Sequence, residues 1–99
     1  SVLDFTPVNV ITFSQGTADR ENRKIVLSWD YAKNKGKVLG LSIYKNEKGL
    51  PPTLWKELNG TVFTLEDKNL KINKEYEYHL VPSLENDSPA KPETLTVIY

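Results

Sequence analysis

The 99-residue chain has no cysteine and no methionine, a single histidine, and five glycines that never cluster. Without cysteine there is no thiol nucleophile, no disulfide and no cysteine-based zinc site. With His79 alone, a multi-histidine metal centre is excluded as well. The scattered glycines form no phosphate-cradling loop. Crossing a bilayer takes about 18 to 20 apolar residues in succession, and no stretch approaches that; nor does a signal-peptide pattern open the chain. Net charge is missing too, because thirteen basic residues balance thirteen acidic ones. No overall field draws in a phosphate backbone or an anionic surface, so neither nucleic acid nor direct membrane insertion is expected.

What remains is the composition of one small globular domain. Hydrophobic residues make up 38% and charged residues 26%, a balance that favours a packed core over disorder. A chain of this length supports one core. A start at Ser1 without methionine reads as a piece of a longer protein. Residues 1–6 read as the end of an interdomain linker in which Val2, Leu3 and Phe5 are apolar enough to pack on a neighbour, and residues 7–99 as one module.

Alternation with period two dominates, and no segment carries a sustained helical stripe. Ile25, Leu27 and Trp29 share one face of a strand running from Lys24 to Asp30. Val38 to Lys45 follows, with Leu39, Leu41 and Ile43 on one face and Gly40, Ser42 and Tyr44 on the other. Gly49 and Pro51-Pro52 end that strand, because proline lacks the ladder donor. Leu54 to Leu58 reads as a short edge strand, and Asn59-Gly60 as a tight hairpin turn into a strand from Thr61 to Leu65. Val8 to Phe13, Tyr76 to Val81 and Thr94 to Tyr99 complete a set of about seven short strands. That spacing predicts an all-β antiparallel sandwich.

The stretch NLKINKEYEYHLVP, Asn69 to Pro82, asks why two tyrosines alternate with charged residues. Where a chain crosses between sheets its backbone loses ladder partners, and a tyrosine with a buried ring can reach those groups with its hydroxyl. Leu70 and Tyr76 have the types and separation for such a corner.

Together, K-I-V-L-S-W-D around Trp29, L-S-I-Y-K, N-L-K-I-N-K-E-Y-E-Y and T-L-T-V resemble, in order and spacing, successive strands of the fibronectin type III family. The similarity runs from Pro7 to Tyr99. It implies an immunoglobulin-like sandwich. The corner departs from the family's frequent proline and threonine, with Ile72 and Lys74 in those places, and no Arg-Gly-Asp occurs. The Lys- and Asn-rich, Arg-poor composition resembles the domains appended to secreted bacterial carbohydrate-active enzymes.

Candidates for chemistry are few. His79 lies on a strand with no nucleophile near it in sequence and reads as solvent-facing. Glu75 and Glu77 sit at i, i+2 on one strand face, the usual place for solvated carboxylates. Glu85, Asn86 and Asp87 lack the ligand spacing of a calcium loop. No catalytic residue, cofactor or metal site is expected, and the chain is not expected to be an enzyme. Trp55 is the leading binding candidate: Leu54 and Leu58 on the inward face would turn its ring outward, where it could stack on a sugar with Tyr31 and Tyr44.

The resemblance implies a non-catalytic spacer or docking module of a secreted bacterial protein, a glycoside hydrolase or similar, with neighbouring domains of the same polypeptide as partners. The expected location is extracellular, periplasmic or cell-surface. Two rivals stand beside it: a carbohydrate-binding module using Trp55, and a protein-interaction module of a receptor or adhesin.

Overall fold

The computed structural model describes residues 7–99; the expected linker, residues 1–6, lies outside the described residues. Seven strands follow one another: β1 (Ile11–Asp19), β2 (Lys24–Tyr31), β3 (Val38–Glu47), β4 (Thr53–Asn59), β5 (Thr64–Asp67), β6 (Glu75–Leu84) and β7 (Glu93–Ile98). They form two antiparallel sheets, ordered β1-β2-β5 and β4-β3-β6-β7. Alternation supplies the core: Ile25, Leu27 and Trp29 from β2, Leu41 and Ile43 from β3, Tyr76, Tyr78 and Leu80 from β6, with Val97 and Tyr99, are all buried. Each such burial contributes roughly 1.5 to 3 kcal/mol, and together these residues hold the sheets face to face.

Four expectations need correction, and each fails for a local reason. The first strand starts at Ile11 and runs on to Asp19, while Val8 makes only an isolated parallel bridge to Ala90. Its second half lacks large side chains because the register sets Gly16 opposite Leu27 and Ala18 opposite Ile25. There a Cβ on Gly16 would lie 2.6 Å from Val97 Cγ2, so a small residue is what lets β1 close on β7. Leu39 leaves the face of Leu41 and Ile43 and is 52% exposed. The β3–β6 register slips between Val38 and Gly40, making Leu39 the extra residue of a bulge.

The Asn59-Gly60 hairpin does not form, because β4 and β5 belong to different sheets and the connection crosses between them. Gly60 has no positive φ; its N–H donates to Leu39 O at 3.0 Å, and a Cβ there would collide with the Val38 carbonyl. The strand after it begins at Thr64 rather than Thr61. The fourth correction concerns Trp55 and is taken up with the site.

The tyrosine corner forms as expected where the chain crosses back from β5 to β6. Tyr76 is buried, and its hydroxyl accepts a hydrogen bond from Lys71 N at 2.6 Å, with Leu70 packed against the core.

The register also fixes the direction of the two ends. β1 enters opposite Tyr31 and finishes opposite Lys24, and Val8 is clamped beside the β6–β7 connection, donating to Pro89 O at 2.8 Å and accepting from Lys91 N at 2.7 Å. β7 finishes opposite Glu75, and Tyr99 donates to Lys74 O at 2.9 Å and accepts from Arg20 Nη1 at 2.8 Å. Val8 and Tyr99 therefore lie at opposite poles of the sandwich, termed upper and lower below.

Candidate functional site

The three aromatic residues singled out for binding occupy three different places. Tyr44 stands on the outer face of the four-stranded sheet, between Leu54 and His79 in register. Tyr31 is at the upper pole against Phe63, with ring centroids 5.7 Å apart. Trp55 turns inward instead of outward, its ring 5.7 Å from that of Tyr78. The β3–β4 register pairs Ile43 with Lys56 but Tyr44 with Leu54, so Trp55 is the extra residue of a second bulge. That bulge puts Trp55 and Leu58 on the same side, whereas Leu54 becomes 51% exposed. The ammonium groups of Lys45 and Lys56 each stand 5.5 Å from the Trp55 ring centroid. With Tyr78 and two lysines around it, the ring is already a packing surface.

Beneath Trp55 lies a buried polar cluster that the sequence did not reveal. Asp67, 1% exposed, takes a salt bridge from Lys45 Nζ at 2.7 Å, a hydrogen bond from the Tyr78 hydroxyl at 2.6 Å and one from Asn69 N at 3.0 Å. Lys45 donates further to Asn69 O at 2.9 Å and sits 5.0 Å from the Tyr76 ring centroid. Every polar group of this cluster has a partner, as a buried charge pair requires. Burial, then the neighbouring Asp67, pushes the Tyr78 phenol far above its ordinary range, so it serves as a neutral donor. Its roles are structural: it joins β3, β6 and the end of β5. A signal was available, since Lys45 continues the inward period of Leu41 and Ile43.

The outer face of the larger sheet holds His79 in a chain of hydrogen bonds. Its Nε2 lies 2.7 Å from Asn46 Oδ1 and its Nδ1 3.1 Å from Thr94 Oγ1, while Asn46 Nδ2 donates to Glu77 Oε1 at 2.8 Å. Among the described residues, the one hydroxyl in this row is that of Thr94. Glu75 is paired instead with Lys48 at 3.2 Å. Asn86 and Asp87 belong to a turn in which Asp87 has φ 57° and Asn86 Oδ1 accepts from Ser88 N at 3.1 Å. Among the described residues, no three His, Asp or Glu side chains stand together as metal ligands would.

A cleft of about 900 Å³ lies at the upper pole, between the ends of the two sheets. Tyr31, Val38, Leu39 and Phe63 make its apolar wall, and Asp30, Lys33 and Lys37 are polar groups on its lining. Leu39 and Phe63 remain 52% and 46% exposed. Among the described residues the buried Tyr31 hydroxyl has no hydrogen-bond partner, and desolvation raises its pKa. Its polar neighbour, the Trp29 indole N–H, is committed to Val62 O at 3.1 Å.

No family model matches the sequence, and no curated protein does. Solved structures do. A structure described as a myokine shares 18% identity over 94% of this chain and 97% of its own, with a TM-score of 0.72. The FN3 domain of human collagen XX shares 22% identity over 98% of this chain and 97% of its own, at a TM-score of 0.67. A pectate lyase from Erwinia chrysanthemi, crystallised with tetragalacturonic acid, matches 85% of this chain with 16% identity and a TM-score of 0.69. The match takes up 27% of that lyase, so this chain resembles one segment of it. The chain has a fibronectin type III-like fold, an immunoglobulin-like β-sandwich.

Proposed function

We propose that the chain is a non-catalytic spacer or docking module of a larger secreted polysaccharide-processing protein. The observation that carries this reading is the position of the ends: Val8 and Tyr99 are fixed by backbone hydrogen bonds at opposite poles of a rigid sandwich. A module so built holds whatever precedes and follows it apart and in a set orientation. The nine residues of β1 alone span roughly 30 Å. The polysaccharide context draws on the likeness to a segment of pectate lyases, and the bacterial, secreted setting on the composition. Fold alone does not choose a job, because this architecture serves many.

The side chains support the non-catalytic part of this reading. His79 is tied to Asn46 and Thr94, and the buried Asp67 is fully engaged by Lys45, Tyr78 and Asn69. These contacts favour a structural role for both side chains. The purified module is expected to release no product from pectate, neutral glycans, esters or phosphate esters. Turnover that persists through purification and disappears in His79→Ala would overturn the reading.

A further inference from the structure

We propose that the upper-pole cleft binds acidic polysaccharide, specifically a chain of uronic acid residues. This rests on the polysaccharide-processing reading above and names the polymer. The wall of the cleft has the two parts such a ligand needs. Tyr31 and Phe63, tilted 55° to each other, give ring surfaces onto which the C–H face of a pyranose can pack, and Leu39 extends that surface.

The loop above them, Lys33-Asn34-Lys35-Gly36-Lys37, carries three lysines in five residues, all exposed. Among the described residues none of the three is in an ion pair. Asp30 is the one carboxylate on the lining among the described residues. In a chain whose total charge is zero, this is a local excess of positive charge beside aromatic surface. A uronate offers the complement, a flat apolar ring face with a carboxylate at its edge.

A further observation favours a sugar over an acidic peptide. Backbone groups flanking the cleft are already spent: Trp29 N donates to Phe63 O at 3.0 Å, Gly60 N to Leu39 O at 3.0 Å and Ala32 N to Val10 O at 2.7 Å. These groups offer an added peptide strand no ladder, which leaves recognition to side chains. The loop itself is held in place, since Lys37 O accepts from Glu85 N at 3.0 Å.

The test is a titration of the ¹⁵N-labelled module with tetragalacturonate, cellotetraose and a glutamate-rich peptide, followed by amide shifts. Tetragalacturonate is expected to give saturable shifts at Tyr31, Phe63 and residues 33–37, with a dissociation constant of about 1 mM or below. Raising the salt from about 20 mM to about 500 mM should weaken it at least about tenfold. Replacing Lys33, Lys35 and Lys37 together by glutamine should abolish it while leaving the rest of the spectrum in place. Phe63→Ala should weaken it about tenfold through the lost ring surface. No saturable shift at several millimolar tetragalacturonate overturns the proposal, as does equal response to cellotetraose, which would make charge irrelevant. Equal response to the peptide also overturns it, because any polyanion would then serve. None of these failures touches the spacer reading, which stands or falls on turnover and on the separation of the module's neighbours.

Discussion

Trp29→Ala lowers the unfolding free energy by about 3 to 5 kcal/mol in denaturant melts, the range for removing a large aromatic from a packed core. The side chain is 1% exposed and sits among Ile25, Leu27, Tyr76, Tyr78 and Leu80. It also closes the upper half of the sandwich, because its Nε1 donates to Val62 O at 3.1 Å and its backbone N donates to Phe63 O at 3.0 Å. Alanine keeps the second bond and loses the first, leaving a carbonyl partly buried and unpaired. For a domain this small the loss is a large fraction of the total. A change below about 1 kcal/mol would mean that the two sheets do not meet on this ring.

Asp67→Ala is expected to cost a similar amount, about 3 to 5 kcal/mol, by an electrostatic route. Asp67 is 1% exposed and its partner Lys45 has a side chain only 12% exposed, so removing the carboxylate leaves a largely buried ammonium without its counter-charge, with Asn69 O as its remaining acceptor. The Tyr78 hydroxyl and Asn69 N lose their acceptor in the same step. A second substitution separates this cause from simple loss of packing. Removing both charges, as Lys45→Met with Asp67→Leu, should recover much of the stability lost in Asp67→Ala. A double variant as unstable as the sum of its parts would show that the pair is not coupled.

Much of the fold was legible because large apolar residues alternate where strands are half-buried. Ile25, Leu27 and Trp29, and likewise Tyr76, Tyr78 and Leu80, could be assigned to the core from spacing alone. Leu70 and Tyr76 could be paired because the corner is a local motif with fixed separation. The failures share a physical origin. A bulge breaks the period of two without leaving a mark in composition, and both Leu39 and Trp55 are the extra residues of bulges. The Trp55 assignment therefore came out on the wrong face.

Small residues are hard to read for the opposite reason. Gly16 and Ala18 face the core by being absent from it, so the second half of β1 carries no hydrophobic signal. Asn59-Gly60 looks like a hairpin only if the flanking strands are neighbours, and sheet membership is a long-range property. The cluster around Asp67 depends on contacts from β3, β5 and β6 at once. It also answers the question of the two tyrosines: Tyr76 fixes the corner, and Tyr78 holds a buried carboxylate.

The most direct test of the spacer reading is a distance measured across the module. The chain has no cysteine, so single nitroxide labels can be placed in two reporter domains, one fused ahead of residue 7 and one after Tyr99, without background. Pulsed electron resonance should then show one narrow distance peak, displaced by about 30 Å from that of the two reporters joined directly, as a strand-length separation requires. A broad distribution, or a mean no longer than in the direct fusion, would contradict the account.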